Sequence, residues 1–308
     1  MKSPFGFLVI DKPSGLTSHD CVSRLRKIFQ IKRVGHGGTL DPAVTGVLPI
    51  AFGNATRLLP YLPSAKTYYG TIQLGTITNT NDLEGEIISQ QSWPEIDFLK
   101  LETYLDEFRG VISQRPPQFS SIHLQGERAY KKARRGEIFD LPPKLVTIYK
   151  LNLLKWDQRI GQLQIKVHCS SGTYIRSIAR DLGNKIKCGG SLAKLRRTQA
   201  LGFNEGQSVS LPDTSQPSKT PELLSPLEAL NHLPRLKLET NQENLYWRTG
   251  RKLFISESRW ENAPHKSIKE SEELSPLVVI DTIGELAGIA LIDNSPTIQP
   301  KVVFNAYG

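Results

Sequence analysis

Short apolar segments, each bounded by glycine, proline or polar residues, recur along the first two thirds of the chain. Segments of this length that are rich in branched and aromatic residues are typical of buried β-strands. They predict strands at residues 6–13, 47–52, 68–74, 146–156, 163–169 and 195–201. No segment repeats at a fixed spacing, so neither a repeat protein nor a regular βαβ fold is expected.

Helical spacing occurs between these strands. Val22, Leu25 and Phe29 share one face of a helix that is predicted to run to about Phe29, with Thr17 or Ser18 as its N-cap. Further helices are predicted at 97–108 and 174–187, and a short one that Asn54 caps and Pro60 limits. The irregular order of strands and helices predicts a mixed α/β (α+β) fold with long inserted loops.

A change of composition divides the chain, whose 308 residues suit one large domain and one small one. Residues 207–229 are rich in Ser and Pro, which is typical of a linker or an ordered surface strap. Beyond them, 277–281 and 286–292 predict a β-hairpin, and the polar stretch 256–275 predicts a loop. We therefore expect a domain over 1–206, a linker or strap over 207–229 and a β-rich module over 230–308.

The charge balance favours a polyanionic partner. The 39 Lys and Arg residues exceed the 30 Asp and Glu residues by 9, and the sequence pI is about 9.4. No stretch approaches the roughly 20 apolar residues that span a bilayer, and the N-terminus lacks the pattern of a signal or transit peptide. The cytoplasm is the expected location, and no membrane partner is expected.

The three cysteines, Cys21, Cys169 and Cys188, form no CxxC pair and no metal-like spacing with the six histidines. Reduced thiols without a metal are expected.

Asp41 follows the glycine-rich turn predicted at 35–38 and precedes Pro42. Taken alone, an Asp followed by Pro is more typical of a helix N-cap than of a catalytic carboxylate. The glycine run lacks the spacing and the lysine of a phosphate-binding P-loop. His36, within this run, is by itself more typical of a turn or core histidine.

Several blocks taken together change this interpretation. They are, in chain order, KPSG at 12–15, GHGGTLDPAVTGVLPI at 35–50, KTY at 66–68, GTYIR at 172–176, CGG at 188–190 and LRRT at 195–198. These blocks, over about residues 12–203, closely resemble in content and order the motifs of the TruB family of tRNA pseudouridine synthases. The tail is loosely similar to the PUA-like domain of bacterial members. The resemblance implies a pseudouridine synthase fold. It also implies an enzyme that isomerises uridine 55 in the T-loop of tRNA to pseudouridine.

The resemblance also implies roles for individual residues. Asp41 would be the catalytic carboxylate, paired with Arg176, which keeps it ionised. Tyr68 would stack on the target base. Tyr174 and Leu195 would form walls of the pocket.

The resemblance implies an RNA contact for His36 and leaves two roles open for Lys12. His36 would contact the flipped nucleotides or fill the space that they leave. For Lys12, a structural role and an RNA contact are equally expected.

The strongest basic cluster is 128–135, RAYKKARR. If it is helical, Arg128, Lys131, Lys132 and Arg135 share one face. The segment resembles the insertion, here about 114–145, that clamps the tRNA T-arm in the family, which favours phosphate binding over a solvated surface helix.

Two positions depart from the family pattern. Asn79 stands where many members carry Asp, which predicts a missing charge beside the site. His123 ends a segment that usually ends in Lys, which predicts one fewer basic RNA contact.

The expected reaction needs neither a cofactor nor a metal, and a monomer is expected. A non-catalytic tRNA-binding or tRNA-folding chaperone is the main alternative. A glycosidase-like hydrolase would usually need two carboxylates across a sugar, and the matched blocks supply one. Synthases that work with guide RNA are disfavoured by the bacterial type of insertion.

Overall fold

The computed structural model describes residues 4–213, 220–255, 259–261, 275–292 and 297–306. The helices are α1 Ser18–Phe29, α2 Phe98–Asp106, α3 Ala129–Arg134, α4 Ile175–Ile186, α5 Pro226–Ala229 and α6 Asn241–Arg248. The first strands are β1 Gly6–Lys12, β2 Val34–His36, β3 Thr45–Phe52, β4 Lys66–Leu74, β5 Thr76–Thr78, β6 Ile87–Gln90, β7 Gly110–Gln114, β8 His123–Leu124, β9 Glu127–Arg128 and β10 Lys144–Asp157. The remaining strands are β11 Gln162–Cys169, β12 Gly190–Ala200, β13 Phe203–Asn204, β14 Ser208–Ser210, β15 Arg235–Lys237, β16 Leu253–Phe254, β17 Trp260–Glu261, β18 Ser275–Ile280, β19 Leu286–Ile292 and β20 Thr297–Val303.

A large mixed sheet organises the first two thirds of the chain. In the described residues it has ten strands, in the order β14-β1-β3-β12-β4-β11-β10-β7, with β2 on β3 and β13 on β12. Most neighbours are antiparallel, but β12 lies parallel to β3 and pairs with it only at Arg196–Thr45 and Arg197–Gly46. The two halves of the sheet therefore meet over a short contact, which leaves room for a cleft between them.

Three helices cover one face of this sheet. Thr17 and Asp20 form a capping box at the start of α1, so the helix begins where the sequence predicts, and Leu25 is fully buried. Together α1, α2 and α4 pack on alternate residues of the strands, such as Ile10 and Ile165, in one apolar core. Because side chains alternate across a strand, the other face of β4 and β11 carries their polar residues.

The C-terminal module is a six-stranded sheet in the described residues, in the order β16-β20-β19-β18-β15-β17. Trp247 of α6 is buried in its core and donates its indole N–H to the Ala287 carbonyl at 3.0 Å. A second core joins this module to the large sheet, since Phe7 and Val47 share it with Ile289 and Phe304. The module thus covers the face of β1 and β3 that lies opposite α1.

The segment between the two sheets is ordered where it is described. Strand β14 pairs in parallel with β1, Leu224 forms a β-bridge with Phe7, and Ser225 caps α5. Of the two interpretations of 207–229, these contacts favour the strap. The strand pairing of β18 with β19 confirms the predicted hairpin. Of the predicted loop 256–275, only 259–261 and 275 are described, and β17 there pairs with β15.

Two local predictions were wrong. Asn54 does not cap a helix; it lies inside the 3-10 helix Gly53–Tyr61, and its side chain accepts a hydrogen bond from Arg33. His36 is in β2, so the glycine-rich turn is confined to residues 37–38. Asp41 is also not a helix N-cap, the interpretation that it has when taken alone, because a turn at 42–43 leads into β3 and no helix follows. Within the described residues, no helix is both long and apolar enough to cross a membrane.

Candidate active site

A cleft of about 1230 Å³ lies where the two halves of the large sheet meet. Its walls come from the start of α1, the loop 39–45, strands β4 and β12, and the inserted segment around Ser120 and Tyr130. Asp41 and Arg176 both line it. Residues far apart in the sequence therefore converge on one concavity, which is the usual setting of an active site.

The loop that carries Asp41 is held by its own backbone and by α1. The Asp41 carbonyl accepts the Val44 N–H at 3.1 Å, which closes a tight turn. Ser18 fixes the preceding residue, since its hydroxyl accepts the Leu40 N–H at 2.8 Å. The position of the carboxylate is thus set by several short-range hydrogen bonds.

Lys12 binds the backbone of the same loop from the protein interior. It is 0% exposed, and its ammonium group donates to the carbonyls of Pro13, Leu16 and Pro42 at 2.8, 2.6 and 3.0 Å. Burial lowers the pKa of Lys12, while the nearby Asp41 opposes this. Of the two expected roles of Lys12, this geometry favours the structural one, because the ammonium group is already occupied and lies away from solvent.

Arg176, in the first turn of α4, connects two carboxylates. Its guanidinium lies 2.9 Å from an Asp41 oxygen and 3.5 Å from an Asp82 oxygen. It also donates to the carbonyls of Thr80 and Phe119 at 3.0 and 2.9 Å. The four contacts fix a nearly buried guanidinium, so Arg176 is a rigid cationic partner for Asp41.

Opposing effects act on the pKa of Asp41. Although 44% of its side chain faces the cleft, the carboxylate lies deep among protein atoms, and this burial raises its pKa. Arg176 and Lys12 lower it, and the negative charge of Asp82 raises it. The net direction is upward, so Arg176 offsets only part of the cost of holding a charge there.

Tyr68 lies under the cleft and is not among the residues that line it. Burial raises its pKa, and the neighbouring Arg197 opposes this. Arg197 sits opposite Tyr68 across the strand pair, is 0% exposed, and donates to the carbonyls of Val47 and Gly38 at 2.7 and 3.1 Å. The Arg197 guanidinium therefore binds the backbone on both sides of the Asp41 loop and connects it to β12, the strand that pairs with β4 at Tyr68.

His36 lines the cleft, and its Nδ1 accepts the Gly38 N–H at 3.3 Å. Burial lowers its pKa, and the positive charge of Arg197 adds to this effect. Its ring is therefore neutral near pH 7. Leu195 also lines the cleft, whereas Tyr174 is the N-cap residue of α4 behind it.

The basic segment differs from the expected continuous helix. Helix α3 spans only Ala129–Arg134, so Arg128 and Arg135 lie at its ends. Arg135 is held by Glu127 and Glu137 at 2.7 and 2.6 Å, and Lys132 contacts Glu137 at 3.2 Å. Arg128 donates to the Ser121 carbonyl.

Other members of the same segment face solvent or the cleft. Lys131 is exposed, while Tyr130 and Arg134 line the cleft. The charge directed at the cleft from this segment is therefore that of Arg134, which the sequence prediction did not name.

Metal binding finds no support in the part of the chain that the structure describes, where no group of three or more His, Cys, Asp or Glu side chains could hold an ion. The three cysteines are buried and free.

Comparison with known proteins shows the family. Residues 26–175 match the N-terminal domain of TruB family pseudouridylate synthases, and residues 176–230 match the C-terminal domain of tRNA pseudouridylate synthase B. The chain is 56% identical over 322 residues to tRNA pseudouridine synthase B of Prochlorococcus marinus (strain MIT 9313), a match that covers 100% of both proteins. The chain belongs to the TruB family of pseudouridylate synthases. A match of 56% over 308 residues to tRNA pseudouridine synthase B of Parasynechococcus marenigrum (strain WH8102) also covers 100% of both.

Solved structures confirm the fold of this TruB family member. A chain in the structure of an H/ACA RNP bound to a substrate RNA containing 2′-deoxyuridine aligns with a TM-score of 0.67 at 21% identity, covering 97% of this chain and 85% of that one. A chain in the archaeal box H/ACA sRNP Nop10–Cbf5 complex aligns with a TM-score of 0.68 at 22% identity, covering 98% and 86%. The mixed catalytic sheet followed by a C-terminal β domain is the fold predicted from the sequence.

Asp82 is a further residue of this site that the sequence prediction did not name. The sequence predicted a missing charge because Asn79 replaces an acid, but Asn79 accepts the Glu86 N–H within a turn, and Asp82 brings a carboxylate to Arg176. Thr80 and the Glu84 N–H both bind Asp82, which orients it. The sequence did contain a signal for this carboxylate, since Asp82 lies three residues after Asn79. His123, the other departure, is exposed on β8.

Proposed function

We propose that this TruB family member isomerises uridine 55 in the T-loop of tRNA to pseudouridine, with Asp41 as its catalytic carboxylate. The observation that carries the proposal is the ion pair of Asp41 with a nearly buried Arg176 at the bottom of a cleft. The relatives that match the whole chain at 56% identity are named tRNA pseudouridine synthase B. The net charge of +9 suits an RNA substrate.

The reaction breaks the bond between C1′ and N1, turns the base and joins C5 to C1′. The proton at C5 leaves and N1 gains a proton, so no atom is lost and no redox cofactor takes part. Positive charge builds up on the sugar as the glycosidic bond breaks, and a carboxylate stabilises it. Asp41 serves either by adding to C1′ or by removing the 2′ proton, and both roles require the ionised form.

Arg176 supports this ionised form from a fixed position. Its attraction to the carboxylate opposes the upward shift that burial and Asp82 impose on the pKa of Asp41. The partial offset leaves a basic, reactive carboxylate rather than one silenced by a strong ion pair. A carboxylate whose pKa is raised by burial is a stronger base than a free aspartate once it is ionised, which suits either role.

A uridine inside a folded loop reaches such a cleft only when it is flipped out of its stack. Flipping costs a few kcal/mol, which stacking and polar contacts in the pocket offset. Leu195 lines the cleft and would bound the base, Tyr68 would pack beneath the cleft and Tyr174 behind it. The neutral imidazole of His36 would contact the displaced nucleotides. A neutral ring is suited to stacking because it carries no charge that must be desolvated.

The T-arm would lie against the inserted segment. Lys131 and Arg128 are exposed there and Arg134 faces the cleft, whereas the glutamate partners of Arg135 and Lys132 reduce what those two cations contribute. We propose domains over 1–206 and 230–308, the second binding RNA as a PUA-like module, in a monomeric cytoplasmic enzyme.

The test uses a T-arm stem–loop RNA tritiated at C5 of uridine. We expect the wild-type protein to release tritium, and Asp41→Asn to bind the RNA without releasing it. The same RNA with cytidine at position 55 should give no release.

Three other outcomes would each contradict a part of the proposal. Tight binding without release by the wild-type protein would favour a tRNA-folding chaperone. Free uracil in place of pseudouridine would show a hydrolase, for which Asp82 is a second carboxylate. Equal release by Asp41→Asn would remove Asp41 from the chemistry.

A further inference from the structure

Three adjacent strands at the centre of the large sheet lack negative charge. Over their described residues, β4, β11 and β12 contain no Asp or Glu, yet they carry five Lys and Arg residues: Lys66, Lys166, Lys194, Arg196 and Arg197. Opposite charges on neighbouring strands stabilise a sheet, and these strands offer no acidic side chain for such a pair. Arg197 pairs with Tyr68 and is buried, whereas Lys166 and Arg196 pair with Tyr69 and Lys194 pairs with Thr71. The face of Tyr69 and Thr71 therefore carries three cations that no Asp or Glu of the same strands neutralises.

Tyr69 stands on the face of these strands that the helices leave uncovered. Along β4, Tyr68, Gly70 and Ile72 are buried toward the helices, whereas Tyr69 points to the opposite side with 41% of its surface exposed. A large aromatic ring that stays exposed at the centre of a ten-stranded sheet gives up the burial energy its area would provide. Such a position is typical of a ring that receives a ligand.

Cations flank this ring. Lys166, directly opposite Tyr69 on β11, places its ammonium nitrogen 5.1 Å from the ring centroid. Lys194 is exposed and pairs with Thr71, two residues further along β4. Among the described residues, no carboxylate forms an ion pair with either lysine.

Arg196 differs from these two lysines. It also lies opposite Tyr69, on β12, but Asp11 and Glu205 bind its guanidinium at 2.9 and 2.6 Å. Two ammonium groups are therefore available for an anion beside the ring, and the arginine forms a fixed border.

The ring is continuous with the site already described. Tyr69, Thr71 and Lys194 line the same cleft as Asp41. An aromatic ring interleaved with unpaired cations matches a nucleotide, which has a flat base and an anionic phosphate. An acidic peptide would use the lysines and leave the ring without a partner, so single-stranded RNA fits the whole set better.

We propose that Tyr69, Lys166 and Lys194 form a nucleotide subsite beside the Asp41 pocket, where an unstacked base next to the target uridine stacks on Tyr69 and its phosphate meets the two ammonium groups. This subsite rests on the proposed function for the identity of the RNA. It adds a contact made by a neighbouring nucleotide, which helps to keep the loop open while the target base is in the pocket.

The test measures RNA binding apart from chemistry. In the Asp41→Asn background, the dissociation constant of the T-arm stem–loop RNA is measured at several salt concentrations. Tyr69→Leu should weaken binding about tenfold, as expected for the loss of one base–aromatic stack. Tyr69→Phe and Tyr69→Trp, which keep a ring, should bind within about twofold of the parent.

Lys166→Gln should weaken binding at low salt and reduce the salt slope by about one. Its matched control is Lys100→Gln, because Lys100 also lies 5.1 Å from a tyrosine ring, that of Tyr104, but on α2 and away from the cleft. Tyr149→Leu controls for Tyr69→Leu, since Tyr149 is 56% exposed on β10 and does not line the cleft. Both controls should bind as the parent does.

Parent-like binding by Tyr69→Leu, or an equal loss in Tyr69→Phe, would overturn the subsite. An equal loss of RNA affinity in Tyr149→Leu would also overturn the subsite, because the loss would then not be specific to a tyrosine that lines the cleft. Thermal unfolding of each variant separates lost binding from lost folding. Absence of tritium release by the wild-type protein would defeat the proposed function alone, since these binding measurements do not depend on turnover.

Discussion

Lys12→Met removes a charge that no solvent reaches. Met keeps the length of the side chain and its apolar contacts but cannot donate to the carbonyls of Pro13, Leu16 and Pro42. The Pro42 carbonyl keeps a second partner, the Gly15 N–H at 2.9 Å. The substitution therefore deprives two carbonyl groups, those of Pro13 and Leu16, of the donor that binds them.

The size of the effect follows from two opposing contributions. Leaving a carbonyl without its donor costs roughly 1–3 kcal/mol, which gives about 2–6 kcal/mol for the pair. Removing the ammonium group also removes the cost of burying it, a cost that is visible in its lowered pKa. We expect a net loss of about 2 kcal/mol in the free energy of unfolding, with reduced turnover because Pro42 directly follows Asp41.

Urea unfolding and RNA binding decide between the two roles of Lys12. Lys32→Met, at an exposed lysine, is the matched control and should change the free energy of unfolding by less than about 0.5 kcal/mol. If Lys12 is structural, Lys12→Met lowers the urea midpoint and leaves the salt slope of RNA binding unchanged. A normal midpoint with a salt slope reduced by about one would refute this reasoning and make Lys12 a phosphate contact.

Three further predictions concern the loop and its partners. Burial raises the pKa of Asp41, and only its ionised form acts, so the acid limb of the kcat/KM profile should lie at higher pH than the pKa of an ordinary aspartate. Asp82→Asn removes a negative charge that raises this pKa, so it should move the acid limb to lower pH. Arg176→Met leaves the carboxylates of Asp41 and Asp82 without the cation between them, so the free energy of unfolding, measured with urea, should fall by about 3 kcal/mol. Adding Asp82→Asn to this variant should recover part of the lost stability. Gly46→Ala should cost more than about 2 kcal/mol by thermal unfolding, since Gly46 has φ +103° and a Cβ would lie 2.1 Å from the Arg197 carbonyl oxygen; a loss below 1 kcal/mol would contradict this.

Local elements were predictable where their signals are local. The start of α1 follows from Thr17 and Asp20, which satisfy each other's backbone N–H groups within one turn. The hairpin of β18 and β19 follows from two apolar runs around a short turn, in which Asp281 accepts the Ile283 and Glu285 N–H groups. Such signals fail where distant contacts compete. Asn54 has the chemistry of a helix cap, but Arg33 takes its side-chain oxygen instead.

The sequence by itself determined the family and the fold class and predicted a role for Asp41, because ordered motifs and apolar periodicity are properties of the chain. Only the tertiary structure decided that Asp82 supplies the second carboxylate, that Lys12 is buried and that Tyr69 faces the cleft. These facts depend on which strands become neighbours and which face of the sheet remains open. Burial and pairing of a charge arise from contacts between distant segments, so no local pattern encodes them.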